Sequence, residues 1–130
     1  APFLDKELLS DPSLNSPFIR RGCSVKADIY LNDNDKITVN DVDFTYISTP
    51  GHTVGSSCII AQNNIFSGDF LFYLDIGRTD FYSGDFEDME KSLKRISMLE
   101  NDYNIYPGHG EKTTLNFEKL YNPYLKKYSV

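Results

Sequence analysis

The chain has 130 residues, 40% of them hydrophobic and 14% aromatic, enough to pack one core and too few for two domains. A net charge of −6 and a pI near 4.8 argue against a surface that neutralises nucleic-acid phosphates; the basic pair Lys126-Lys127 lies in the tail. Two cysteines, Cys23 and Cys58, are too few for a disulfide framework, no apolar run nears the roughly 20 residues that span a bilayer, and the amino terminus lacks a signal-peptide pattern. The expectation is therefore a single cytoplasmic domain over residues 1–130 that acts on small molecules, with no nucleic-acid or membrane partner.

In chain order, the first 22 residues are punctuated by Pro2, Pro12, Pro17 and Gly22 and read as a connecting segment with short helical pieces near Leu8-Leu9 and Leu14. From Lys36 to Ser48 the period is two: Ile37 and Val39, a turn at Asn40-Asp41, then Val42, Phe44 and Tyr46, which predicts a β-hairpin. Residues 56–61 and 64–67 predict a second strand pair around Gln62-Asn63, and Tyr103–Tyr106 a further strand. From Asp85 the period becomes 3.6, with Phe86, Met89, Leu93 and Ile96 on one face and Glu87/Lys91 and Glu90/Lys94 paired on the other. Asp85 suits the N-cap, and Lys94 and Arg95 complement the dipole at the far end. A weaker helix is expected from Leu115 to Tyr121, ended by Pro123. The fold class is α/β.

Both histidines of the chain occur in one tripeptide, Pro50-Gly51-His52 and Pro107-Gly108-His109, each after a predicted strand. A third strand ends Ser67-Gly68-Asp69. A side chain that must reach an ion shared between strands needs a sharp turn in front of it, which glycine permits and proline stiffens. Pro-Gly-His alone is usually a surface turn; two examples that use every histidine, with an aspartate in the same context, point to a metal site. Imidazole and carboxylate suit zinc, iron or manganese.

Thr49–Ser56 closely resembles the third metal-binding motif of the metallo-β-lactamase superfamily, Phe66–Asp69 its fourth, and Tyr106–Gly110 its fifth. Ile76–Asp80, Thr113-Thr114 and Asn122–Leu125 are similar to the glyoxalase II-like hydrolases within it. The resemblance implies the carboxy-terminal half of an αββα sandwich, a mixed sheet with flanking helices. It implies that His52 completes one metal site, that His109 completes a second, and that Asp69 bridges both and is the one residue here assigned to catalysis. Arg78 and Asp80 are placed beside the site, either buttressing the loop after Asp69 or forming an ordinary structural ion pair.

The family's His-x-His-x-Asp-His motif is absent, since no histidine precedes His52. The segment Ala1–Leu4 resembles the family's mid-chain, so the expectation is a carboxy-terminal portion lacking the upstream half. Such a chain offers at most two protein ligands per ion, where catalytic zinc sites usually have three, so zinc binding should be weak or absent and turnover negligible. The complete protein is expected to hold two zinc ions and to hydrolyse a small thioester or ester through metal-bound hydroxide. The uncovered inner sheet face should associate, as a homodimer or with an amino-terminal half.

Three other readings compete. Persulfide dioxygenases share the Gly77–Phe81 run and hold one iron, for which His52 and Asp69 would be ligands. A metal-free binding or structural domain would retain the motifs only as loop architecture. A cysteine nucleophile is the poorest fit, because Cys58 lies in an apolar strand and Cys23 has Arg20 and Arg21 nearby but no evident base.

Overall fold

The computed structural model describes residues 1–15 and 22–129; Pro17, Arg20 and Arg21, and the expectations attached to them, lie outside the described residues. A 3₁₀ turn, Phe3–Asp5, leads into the short helix α1, Lys6–Ser10. The strands β1 (Lys36–Val39), β2 (Val42–Ser48), β3 (Ser57–Ala61) and β4 (Asn64–Gly68) follow as an antiparallel meander. Asn40 and Asp41 both have positive φ, 48° and 63°, the backbone that a tight two-residue hairpin demands. A small separate hairpin comes next, β5 (Leu71–Phe72) with β6 (Asp75–Ile76). Helix α2, Phe86–Ser97, then crosses to β7 (Asn104–Pro107), which pairs parallel with β4. Strand β8 (Thr113–Thr114), helix α3 (Leu115–Tyr121) and a 3₁₀ turn, Lys126–Tyr128, complete the chain. The main sheet has the order β1-β2-β3-β4-β7-β8, so the fold is mixed α/β as the periodicities predicted.

The register sorts the side chains into two faces. Ile47 pairs with Cys58, Ile60 with Ile65 and Ile65 with Ile105; this face is covered by Met89, Leu93 and Ile96 of α2, by Leu115 of α3, and by Leu125. Each of these large side chains, fully buried, contributes roughly 1.5–3 kcal/mol. The opposite face aligns Ile37 with Phe44, Tyr46 with Ile59, Ile59 with Phe66 and Phe66 with Tyr106. It has no covering element among the described residues: Phe66 is 43% exposed and Tyr106 39%, their rings stacked at 5.6 Å.

Two expectations for α2 are corrected. Phe86 is 48% exposed, because the Pro50-Gly51 loop packs instead against Met89, and Ser92 Oγ donates to the Pro50 carbonyl at 2.7 Å. The buried stripe is therefore Met89, Ser92, Leu93, Ile96 and Ser97. Glu87 does pair with Lys91, at 3.0 Å, but Glu90 turns to Lys127, at 2.5 Å, and to the Tyr128 hydroxyl, tying α2 to the end of the chain. The Asp85 cap forms as expected, accepting from Asp88 N–H at 2.9 Å.

Two polar clusters fix the elements that carry the loops. The first joins Asp33 to β2 and α2: its carboxylate accepts from Ser48 N–H at 2.8 Å and from Arg95 at 2.9 Å, and Arg95 also donates to the Ser48 carbonyl. Burial pushes the Asp33 carboxyl up, but the hydrogen bonds from Arg95 and the Ser48 amide outweigh it and hold the group below the usual carboxylate range. The second cluster is fully buried. Glu118 accepts from Thr113 Oγ1 (2.7 Å), Leu74 N–H (3.0 Å) and Asn122 Nδ2 (2.8 Å), while Asn122 accepts from the Tyr124 and Leu125 amides. Glu118 thus pins the β5–β6 hairpin to α3.

Because the folded Asp33 carboxyl lies below its unfolded value, its contribution is complete above the ordinary aspartate pKa of about 3.9 and is lost as pH falls through the folded value. Asp33→Asn should therefore lower stability at neutral pH and flatten the acid limb of the stability curve, as read by urea unfolding across pH. Glu118→Ala should cost about 2–4 kcal/mol by orphaning buried donors. Glu118→Gln should cost about 1 kcal/mol, since its amide can donate to a rotated Thr113 hydroxyl; comparison of the unfolding midpoints checks both.

Candidate metal centre

The three strand-end residues meet at one point on the sheet rim. His109 Nε2 lies 3.1 Å from Asp69 Oδ1, and His52 Nε2 lies 3.4 Å from Asp69 Oδ2. Each imidazole thus faces a different oxygen of one carboxylate. The parallel β4–β7 register sets Gly68 opposite Pro107, and Gly108 N–H donates to the Gly68 carbonyl at 2.8 Å, so Asp69 and His109 leave the sheet side by side. His52 arrives from the loop after β2, which docks on the start of α2 through the Asp85 N–H to Gly51 carbonyl bond, 2.9 Å.

The glycines before the three residues serve different purposes. Gly51 and Gly68 have φ of 145° and 52°, conformations that side chains resist. At Gly108 the reason is space, because a Cβ there would stand 2.7 Å from Asp69 Oδ1. Gly77 has the same role from the other side: a Cβ would stand 1.7 Å from the Asp69 carbonyl.

His52 Nδ1 lies 2.7 Å from the Arg78 carbonyl. A carbonyl only accepts, so Nδ1 donates to it, and Nε2, the nitrogen aimed at Asp69, is left as the one that would bind a metal. Arg78 therefore meets the site through its backbone. Its side chain grips Asp80 bidentately, at 2.7 and 2.7 Å, and lies 3.7 Å from the centre of the Phe81 ring. The guanidinium hydrogen bond holds the Asp80 carboxyl down at about 2. Both side chains are more than half exposed, so the pair shapes the loop from outside.

An open pocket of about 410 Å³ covers the three residues, walled by Phe72, Ile76, Gly77, Arg78 and Phe81. The Phe72 ring meets His109 edge-on at 5.7 Å. Phe72 had no sequence signal, because its strand is only two residues long, and Ile76 was marked only as the start of the Ile76–Asp80 resemblance. The donor set fits a pair of ions sharing one carboxylate, one imidazole each. Among the described residues no group of three or more His, Cys, Asp or Glu is arranged to hold a metal ion. The His109 side chain is 74% exposed, leaving that side of the pocket open.

Fold and donors define an α/β protein with a candidate metal centre on a sheet rim. The chain belongs to the metallo-β-lactamase superfamily, whose sequence model matches residues 24–109. A curated relative, the hydroxyacylglutathione hydrolase GloC of Haemophilus influenzae, is 38% identical over 103 residues, covering 77% of this chain and 49% of its own. The crystal structure of BLEG-1 B3 metallo-beta-lactamase superposes with a TM-score of 0.87 at 34% identity, covering 95% of this chain and 63% of that one. TTHA1623 in a di-iron-bound form gives 0.81 at 28% identity, covering 95% and 63%, and ETHE1 from Myxococcus xanthus gives 0.73 at 31%, covering 77% and 47%. The chain spans about half the length of the curated relatives it matches, for example 60% of one of Aquifex aeolicus and 38% of a probable metallo-hydrolase of Streptococcus pyogenes.

Cys58 is fully buried, and burial pushes its thiol up to about 12, against a smaller opposing effect of the Thr49 hydroxyl. It is no nucleophile at neutral pH. A disulfide-exchange reagent at neutral pH should titrate the exposed Cys23 promptly and Cys58 only after denaturant is added; a rapid second equivalent from the folded protein would contradict the burial.

Proposed function

We propose that this chain is the carboxy-terminal portion of a metal-dependent hydrolase that acts on a small thioester or ester, in the manner of the glyoxalase II-like enzymes. The observation that carries the proposal is the single carboxylate of Asp69 set between two imidazoles, one per oxygen. In this reading His52 and His109 each ligate a different ion and Asp69 bridges them, zinc being the metal of choice for a hydrolase. Bound metal supplies a Lewis acid and a water that ionises near neutral pH. This chain's residues hold the donors: the Arg78 carbonyl fixes the His52 tautomer, Phe72 supports the His109 ring, and Phe81 and Ile76 wall the substrate side against water. Arg78 and Asp80 set the shape of the loop without contact to the reacting atoms.

The likeness to GloC and the Pro107–Gly110 motif favour hydrolysis. The likeness to ETHE1, with the Gly77–Phe81 run, supports a second reading, an iron-dependent persulfide dioxygenase. A metal-free domain leaves the three donors without a purpose. We place the protein in the cytoplasm on the strength of its two unpaired cysteines. The uncovered sheet face of Phe44, Tyr46, Ile59, Phe66 and Tyr106 is read as an association surface, for a second copy or for an amino-terminal half that brings the remaining ligands.

The chain alone, after dialysis, should retain well under one equivalent of zinc and hydrolyse no thioester; tightly held stoichiometric zinc in a demonstrated monomer would overturn this. Joined to an upstream half carrying His-x-His-x-Asp-His, it should gain thioester hydrolysis, and Asp69→Ala should reduce that by a hundredfold or so, since both ions lose a ligand. Oxygen consumption with bound iron and no hydrolysis would select the dioxygenase instead.

A further inference from the structure

The loop that carries His52 is clamped from a distance. Asp5, at the end of the amino-terminal 3₁₀ turn, accepts from Thr53 Oγ1 at 2.7 Å and from Gly55 N–H at 2.9 Å, reaching across 48 and 50 residues of sequence. Within the loop, Thr53 N–H donates to Ser56 Oγ at 2.9 Å, the two hydroxyls lie 2.9 Å apart, and Gly51 N–H donates to the Thr53 carbonyl at 3.1 Å. Residues 51–56 are thus folded about Thr53, and the carboxylate holds that fold at two points. Gly55 is a glycine because of Asp5: a Cβ there would meet the carboxylate carbon at 2.5 Å. The arm is itself fixed, Phe3 N–H donating to the Leu31 carbonyl at 2.9 Å and Leu31 N–H to that of Ala1 at 2.8 Å.

We propose that Asp5 is the positioning residue of His52, holding residues 51–56 so that the His52 ring stays on the Arg78 carbonyl and keeps its Nε2 aimed at Asp69. The carboxylate touches neither the ring nor the pocket; it acts through Thr53 and Gly55. Two hydrogen bonds to an ionised group are stronger than neutral ones, and they close a loop whose other anchors are the start of α2 and the Val54 N–H to Ser83 Oγ bond at 3.1 Å. Releasing the clamp leaves the fold's core untouched and frees the imidazole. The proposal rests on the reading of His52 as a metal ligand, and the two are separable by experiment.

The test is nitrogen-15 NMR of the two imidazoles in the whole chain, with the altered and unaltered proteins compared at one pH. In the unaltered protein His52 should show a single Nδ1–H tautomer. In Asp5→Ala the His52 signals should move to the average of two tautomers while His109 stays in place. Asp5→Asn should restore the pattern, because its oxygen accepts from Gly55 and its amide donates to Thr53 Oγ1, whose hydroxyl turns to Ser56. On titration with zinc chloride, the concentration at which the His52 signals shift should rise about tenfold in Asp5→Ala. Identical tautomer patterns and zinc midpoints in Asp5→Ala and the unaltered chain, with the β3–β4 amide signals intact, would overturn the proposal. Zinc that moves neither ring even after the chain is joined to its upstream half would instead sink the ligand reading, and the tautomer comparison would still decide the role of Asp5. Should Asp5→Ala fail to fold, Thr53→Val, which removes one of the two contacts and leaves the other, takes its place with the same readouts.

Discussion

The parallel pairing of β4 with β7 is the constraint on which the candidate site depends. Parallel strands cannot be joined by a tight turn, so the chain must leave β4 at Gly68, cross the sheet through α2, and return in the same direction. Both strands consequently end at the same rim, and the register that sets Gly68 against Pro107 places the next side chains, Asp69 and His109, in contact. The antiparallel meander before them returns β2 to that rim, with His52. Proximity of the three donors is a property of strand direction before it is one of side-chain chemistry.

Around that rim the structure uses backbone more than side chains. The His52 tautomer is set by a carbonyl, Asp69 is crowded by Gly77 and Gly108, and the one strong side-chain ion pair nearby, Arg78 with Asp80, stands outside. Backbone groups suit this purpose because they carry no rotamer freedom to lose and sit at positions fixed by the sheet. Buried side-chain polarity is kept for the joint at Glu118 with Asn122, where each group has its partners, while the joint of Asp33 with Arg95 lies at the surface.

β1, β2 and α2 were legible in the sequence from their periods, and β3, β4, β7 and α3 from short apolar runs bounded by turn residues. The donors were legible because three unusual tripeptides coincide with strand ends. The β5–β6 hairpin was not, since two-residue strands leave no period to read and its turn depends on Leu74 at a φ of 57°. Glu118 gave no signal for the same kind of reason, and Asn122 was marked only by the Asn122–Leu125 resemblance; it is the hairpin folded over them that makes them the centre of a network. Asp5 could not be found at all, because its partners lie some 48 residues away and a 3₁₀ turn leaves no signature of where its side chain is sent.

The uneven sheet also bears on the order in which the molecule assembles. The meander from β1 to β4 pairs neighbours in sequence and can form early, since closing its short turns costs little entropy. The β4–β7 ladder joins Asn64 to Asn104 and waits on the intervening crossover. Asp69 and His109 are therefore brought together late, after the half of the sheet that presents Tyr46 and Ile59 has been laid down. During that interval the strand destined to meet β7 is an open edge beside an apolar face, the arrangement in which a sheet is most exposed to pairing with another chain.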